Sequence, residues 1–281
     1  MQRTEQYIGK CIYCGSTDNL SDEHTIPLAL RGVRILRKAS CPACAGITSQ
    51  TEQAFLRGPA LGIRTVLSMK TRHPKNRPKD LPLEFIRDGK CSTEMVPIDD
   101  YVPALLLPEI GWPGVYRDFP HAKGLKSGDF QAALHRLDEG RGDDHCQMLL
   151  KKYNADEVAV PFDIKHDDFL RMIAKIAHCE AILFYGINNF EKFNLIDCIL
   201  GKNNDVSNWV GSDGMYHIFE KEQVEKSFLN SPHIIAISCG DDTEVWVRIK
   251  LWNKSKTPEY TAIVGNLGKR YVAFLDFHRV A

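Results

Sequence analysis

Residues 11–44 read CIYCGSTDNLSDEHTIPLALRGVRILRKASCPAC, a stretch that begins and ends with a Cys-x-x-Cys pair. Such a pair on a tight turn presents two thiolates to one edge of a tetrahedron, at about 2.3 Å from a zinc ion. Turn-forming residues accompany both pairs, Gly15 and Ser16 after the first and Pro42 within the second. We therefore predict one structural zinc site made of Cys11, Cys14, Cys41 and Cys44.

Two other interpretations of these cysteines stay open on the sequence. The four could be unconnected, or one pair could be a redox dithiol, which would leave the other pair unexplained. A closed site of four cysteines has no open position for a substrate, so its zinc would serve folding. A segment of about 55 residues has little core of its own, and zinc would supply the missing free energy.

The bulk properties of the 281-residue chain are those of an ordinary globular protein, with 43% hydrophobic and 26% charged residues. Its nine cysteines occur without an apolar leader, since the first ten residues read MQRTEQYIGK. Paired cysteines in such a chain bind metal more often than they form disulfides. No apolar run approaches the roughly 20 residues that cross a bilayer. We expect a cytoplasmic protein with no membrane partner.

Positive charge is concentrated at the N-terminal end, although the formal net charge is zero. Residues 1–80 carry 13 Lys and Arg against 6 Asp and Glu. This excess predicts an anionic partner such as nucleic acid, while ordinary charge scatter is the alternative. The basic residues predicted to contact nucleic acid are Arg31, Arg34, Arg37, Lys38 and Arg57.

Hydrophobic periodicity predicts an α+β fold with helices packed on an antiparallel meander. Helical composition runs over Thr48–Arg57, and apolar residues recur at three- and four-residue steps from Phe169 to Phe184. Four apolar runs of strand length follow, separated by turn signals, at 233–238, 244–251, 260–264 and 271–277. A proline-rich basic stretch at 70–83 suggests two domains, 1–80 and 81–281. We expect Lys175 to be an exposed lysine of an amphipathic helix.

Glu23 and His24 lie between the two cysteine pairs, so zinc would anchor the loop that carries them at both ends. A carboxylate can ligate a hard divalent cation such as Mg²⁺ or Mn²⁺. A histidine can accept a proton from water that attacks a phosphodiester. Together these groups are sufficient for hydrolysis of nucleic acid.

These motifs resemble the HNH endonucleases over roughly residues 8–56. The resemblance rests on CIYCG, on LSDEHTIPLALRG, on the strand-like segment 33–39 and on SCPACAGITSQTEQAF, in this order. It implies a ββα-metal finger of treble-clef type in which His24 is the general base. Glu23 would be the acidic metal ligand and Asp22 a reserve ligand. It also implies DNA, more than RNA, as the substrate and antiviral defence as a setting.

The sequence departs from the family pattern directly after the last cysteine, where many members carry an asparagine and this chain has Ala45. A methyl group cannot coordinate a cation. Thr48, Ser49 and Glu52 continue the same helix face, three, four and seven residues farther on. Glu52 is the best replacement by chemistry, and Ser49 or Thr48 by reach.

Three functions therefore remain in competition. The first is a metal-dependent endonuclease that needs structural Zn²⁺ and catalytic Mg²⁺ or Mn²⁺. The second is a zinc-stabilised nucleic-acid-binding module in which His24 caps a turn. In this module Ala45 reflects the loss of a metal ligand and therefore of catalysis. The third is a protein-interaction scaffold. Residues 81–281 carry no catalytic motif and are assigned to specificity, sensing or partner binding, including binding of a second copy of the chain.

Overall fold

The computed structural model contains both α-helices and β-strands along the chain, which confirms the α+β class. The structure describes residues 4–71, 73–102, 104–116, 130–136, 142–161, 164–212, 232–240, 242–252, 257–268 and 278–280. The helices of these residues are α1 (Pro42–Arg57), α2 (Leu61–Val66), α3 (Gly142–Tyr153), α4 (His166–Tyr185) and α5 (Ile196–Ile199). The strands are β1 (Glu5–Tyr7), β2 (Ser21–His24), β3 (Ile35–Ser40), β4 (Asp80–Arg87), β5 (Lys90–Pro97), β6 (Ala104–Ile110), β7 (Phe130–Arg136), β8 (Glu157–Ala159), β9 (Phe190–Phe193), β10 (Val210–Ser212), β11 (Ile234–Cys239), β12 (Glu244–Lys250), β13 (Glu259–Leu267) and β14 (His278–Val280).

The N-terminal segment forms a small sheet followed by a long helix. Strand β3 lies in the centre of this sheet, parallel to β1 and antiparallel to β2. Helix α1 then begins at Pro42, six residues before the predicted start, because proline is well tolerated at the first helical position. Cys41 is the N-cap residue of α1, so the second cysteine pair occupies the beginning of the helix.

A six-stranded antiparallel sheet occupies the C-terminal part of the described chain. Its order is β10-β13-β12-β11-β14, with β9 paired to β13. The predicted strands at 233–238, 244–251 and 260–264 are confirmed as β11, β12 and β13, and the run at 271–277 lies outside the described residues. Only four residues separate β11 from β12 and eight separate β12 from β13, and such short separations favour antiparallel pairing in sequence order.

Helix α4 lies between α1 and this sheet. The ring of Phe169 on α4 packs edge-on against Phe55 of α1 at 5.2 Å and against Tyr260 of β13 at 5.1 Å, measured between ring centroids. Fourteen residues of α4 are buried, namely Phe169, Leu170 and all of residues 172–183, including polar ones. Because neighbours surround it on all sides, α4 has no broad solvent-facing stripe, and Lys175 is not the exposed lysine expected from the sequence.

One hydrophobic core extends from the N-terminal segment to the C-terminal sheet. It contains Ile12 and Phe55 together with Phe169 of α4 and Tyr260 of the sheet. A second, smaller cluster forms between β4, β5 and α3. The proposed division at residue 80 stays a prediction, and the larger core includes residues from both sides of it. Among the described residues, no helix is both long and apolar enough to cross a membrane.

A buried histidine joins the N-terminal segment to the C-terminal sheet. His233 is 2% exposed, and its Nδ1 accepts the backbone N–H of Trp252 at 3.1 Å. The proton therefore resides on Nε2, which donates to the backbone oxygen of Leu30 at 2.6 Å. Burial, opposed by the Leu30 hydrogen bond and assisted by the charge of Arg31, lowers the pKa of His233 to about 4.

Protonation of His233 should make stability depend on pH between about 6.5 and 4. The unfolded chain takes up this proton below an ordinary pKa of about 6.5, whereas the folded chain resists until about 4. We therefore expect the contribution of His233, about 3 kcal/mol, to be complete above pH 6.5 and lost as the pH falls to 4. Urea unfolding of the wild type and of His233→Gln across this range checks it. An equal pH slope in both proteins would contradict the assignment.

Candidate functional site

The four cysteines of the two Cys-x-x-Cys pairs come together in the structure. All four sulfur atoms lie within 4.8 Å of one another, and the sulfurs of Cys14 and Cys41 are 3.6 Å apart. Sulfurs bound to one tetrahedral zinc lie about 3.8 Å apart, given a zinc–sulfur distance of about 2.3 Å. Among the described residues, this is the group of side chains arranged to hold a metal ion, and its composition fits structural zinc.

Local backbone structure places these sulfurs. The first pair lies on a turn in which Gly15 adopts a φ of 79° and donates its N–H to the oxygen of Cys11 at 2.9 Å. That conformation favours glycine, and Gly15 was one of the turn signals of the sequence. In the second pair, Cys41 caps α1 and Cys44 lies one turn into the helix.

Thiol ionisation in the cluster depends on backbone donors and on burial. The N–H of Cys44 contributes most to lowering the pKa of Cys41 to about 7, because a helix N-terminus stabilises a thiolate. Burial, followed by the neighbouring sulfurs, raises the pKa of Cys44 far above its usual range. Four thiolates this close therefore need a cation between them, which is what a zinc ion supplies.

A second charged cluster joins the N-terminal segment to α4. The ammonium of Lys175 lies 2.8 Å from a carboxylate oxygen of Glu23 on β2 and 2.8 Å from one of Glu52 on α1. It also donates to the backbone oxygen of His24. The sequence offered Glu52 as one of three candidate ligands beside Glu23 and His24, and the structure brings the carboxylates of Glu23 and Glu52 to the same nitrogen.

Lys175 is 2% exposed, and it lies within a run of twelve buried residues of α4, 172–183. Burial opposes the charge of Lys175, but Glu23 and then Glu52 outweigh it, and the pKa of Lys175 is raised well above its usual value. The ammonium therefore stays charged, with three oxygen acceptors for its three N–H groups. The sequence signal for a buried Lys175 was its place in a helix that has polar residues on almost no face.

Asp22 lies apart from this cluster, although it is adjacent to Glu23. Successive residues of a strand point to opposite faces, and Asp22 is exposed where Glu23 is buried. Its carboxylate accepts the backbone N–H of Lys38 at 3.0 Å and contacts the guanidinium of Arg37 at 2.6 Å. The Lys38 N–H and the Arg37 side chain lower the pKa of Asp22. Asp22 thus links β2 to β3 at the point where the pairing of the two strands is irregular.

The predicted nucleic-acid residues lie in different environments. Arg34 forms an ion pair with Glu180 of α4 at 2.8 Å, and its side chain is 11% exposed. Arg37 is held by Glu5 and Asp22 on the surface. The remaining three are more exposed, and Arg57 projects from the end of α1.

A cavity of about 300 Å³ lies beside Glu52. Its walls include Ser49 and Glu52 of α1, the segment Pro27–Ala29, and the basic side chains of Arg57, Lys70 and His73. Arg64 fixes two walls relative to each other, since its guanidinium donates to the backbone oxygens of Leu56 at 2.6 Å and Ala29 at 3.0 Å. The arrangement sets one acidic group beside several basic ones, and the basic groups suit a phosphate.

The sequence placed His73 in a linker and did not connect it to this cavity. Its neighbours in the basic stretch 70–83 served there to suggest a domain division. The structure brings the beginning of that stretch back onto α1, because α2 turns the chain after Gly58.

Comparison of the chain with protein-family models, with curated proteins and with solved structures found no match.

Proposed function

We propose that this chain is a metal-dependent endonuclease of HNH type that hydrolyses phosphodiester bonds, with DNA as its substrate. The observation that carries the proposal is the convergence of the Glu23 and Glu52 carboxylates and the backbone oxygen of His24 on one nitrogen, in a segment that also contains the four clustered cysteines. The proposal includes a ββα-metal finger of treble-clef type, structural Zn²⁺ and a catalytic Mg²⁺ or Mn²⁺.

The order of elements supports this finger. A turn with two cysteines is followed by the antiparallel strands β2 and β3 and then by α1, whose first turn carries the other two cysteines. In this arrangement a zinc ion would fix the beginning of α1 relative to the hairpin. The distance between Glu23 on the hairpin and Glu52 on the helix would then be set by zinc.

The residues divide the chemistry between them. Glu23 and Glu52 would hold a divalent cation, which stabilises negative charge on the leaving oxygen when bound. Glu52 would thereby replace the ligand that Ala45 cannot provide. His24 would take a proton from the attacking water. In the same step the water oxygen bonds to phosphorus, and the bond between phosphorus and the leaving oxygen breaks. Arg57 and Lys70 would bind the neighbouring phosphates along the cavity.

Nicking of supercoiled plasmid tests the proposal directly. We expect the purified protein to convert supercoiled plasmid to open circles in Mg²⁺ or Mn²⁺ and to stop when the divalent ion is removed. Glu52→Gln should slow nicking by about 100-fold, since a lost cation ligand removes charge stabilisation in the transition state. Glu94→Gln, which removes an acid paired with Arg87 on a different sheet, is the control and should cut like the wild type.

The second candidate is a zinc-stabilised nucleic-acid-binding module without catalysis. Its supporting observation is that an ammonium, that of Lys175, already lies between the two carboxylates, while Ala45 offers no ligand. Salt-dependent DNA binding with no cutting in any divalent metal would favour this module over the endonuclease. A cytoplasmic location and a role in antiviral defence belong to the first proposal.

A further inference from the structure

Lys175 is supplied to the candidate site by a part of the chain outside the predicted finger. It projects from α4 and reaches Glu23 and Glu52 on the two sides of the finger, at 2.8 Å each. Its remaining contact is the backbone oxygen of His24. One buried cation therefore contacts both elements that carry the proposed metal ligands, β2 and α1.

The other buried lysine of the described chain is paired differently. Lys250 is 3% exposed and lies 3.4 Å from a single carboxylate, that of Glu259, so the charges are matched one to one. The single ammonium of Lys175 pairs with two carboxylates, those of Glu23 and Glu52, so this cluster has one more carboxylate than ammonium groups. One of them, Glu52, also lines the cavity of about 300 Å³. An ion from solvent can therefore reach Glu52, beside the basic side chains of Arg57, Arg64 and Lys70 that line the same cavity.

From this arrangement we infer that Lys175 is the resident counter-cation of the Glu23–Glu52 pair and keeps its binding of divalent metal weak. The ammonium compensates part of the carboxylate charge and repels a second cation a few ångströms away. A divalent ion would bind through the charge left over, from the cavity side of Glu52. The inference rests on the proposed function for the identity of the ion. Lys175 acts through Glu23 and Glu52 and not on the substrate, so it is a positioning residue.

Neutral substitutions of Lys175 test this inference with zinc-loaded, full-length protein. In Lys175→Met the two carboxylates lose their internal cation, so Mn²⁺ should bind about tenfold more tightly than in the wild type, or better. Lys175→Gln keeps an amide that can still donate hydrogen bonds, and it is the variant expected to fold most readily. Calorimetric titration and the rise in melting temperature with added Mn²⁺ give readouts that are independent of DNA cleavage.

Two further variants make the result specific. The gain in Mn²⁺ affinity should disappear when Glu52→Gln is added to Lys175→Gln. Lys250→Met should bind Mn²⁺ like the wild type, because it removes a buried lysine elsewhere. Equal Mn²⁺ affinity with and without Lys175, or a gain that survives Glu52→Gln, overturns the inference. The inference is also overturned if Mn²⁺ raises the melting temperature of neither Lys175→Met nor Lys175→Gln.

These outcomes separate the inference from the proposed endonuclease. Tighter Mn²⁺ binding without plasmid nicking in any of the proteins would uphold the role of Lys175 and refute the nuclease. Nicking by the wild type with unchanged Mn²⁺ affinity in the neutral variants would uphold the nuclease and refute the role of Lys175.

Discussion

Replacement of His24 by alanine is expected to abolish plasmid nicking while the protein stays folded. In the proposed reaction the imidazole accepts the proton of the attacking water, and loss of a general base costs about 10² to 10⁴ in rate. The fold should tolerate the change because Lys175 binds the backbone oxygen of His24, which alanine retains. Initial nicking rates at saturating Mn²⁺, together with the melting temperature, provide the measurement.

A histidine elsewhere in the chain offers a matched control for this substitution. His145 lies on α3, where its ring contacts the backbone oxygen of Asp100 at 3.2 Å, and α3 packs in the second hydrophobic cluster, which does not include the four cysteines. His145→Ala should nick plasmid at the wild-type rate. If His24→Ala cuts as fast as this control, His24 is not the base, and the second candidate role, that of a turn-capping residue, gains support.

Loss of the zinc site should have the largest effect on stability. We expect Cys44→Ala to lose bound zinc and to lower the melting temperature by about 10 °C or more, since structural zinc contributes many kcal/mol to a small metal-bound segment. The effect should extend beyond the finger, because Cys44 and Ile12 belong to the same hydrophobic core as Phe169 and Tyr260. Zinc content by elemental analysis and thermal unfolding with and without a chelator measure it.

The control for this experiment is a cysteine outside the cluster. Cys91 is exposed on β5, so Cys91→Ala should retain one zinc per chain and the wild-type melting temperature. A wild-type protein that contains no zinc, or a Cys44→Ala variant that melts like the wild type, would show that the four sulfurs do not share an ion.

The contacts between α4 and the N-terminal segment affect how any variant of the site should be interpreted. Three buried polar residues of α4 each bind that segment. Lys175 binds Glu23, His178 contacts the backbone oxygen of Ile12 at 3.1 Å, and Glu180 pairs with Arg34. Because each partner is withdrawn from water, breaking one contact leaves a buried polar group unsatisfied, which costs about 1 to 3 kcal/mol. Site variants should therefore be checked for folding before their activity is interpreted.

The sequence by itself determined the local features of this protein. The spacing of the cysteines, with Gly15 and Pro42 at the turns, predicted a four-cysteine cluster that the structure confirms. Strict periodicity located α4 and the strands β11, β12 and β13. Helical spacing from Ala45 also included Glu52 among three candidate replacement ligands, as the best of them by chemistry, and Glu52 shares a cation with Glu23 in the structure. Each of these inferences concerns residues whose geometry is set by near neighbours or by one regular element.

Only the tertiary structure decided which charges are buried and with what partners. Lys175 was expected to face solvent, and Arg34 to face nucleic acid, because an amphipathic pattern normally leaves long basic side chains in water. Packing of α4 between α1 and the sheet removed that water, and each cation took a carboxylate from a distant part of the chain, Glu23 and Glu52 for one and Glu180 for the other. A buried charge must be paired, but sequence distance does not restrict where its partner comes from.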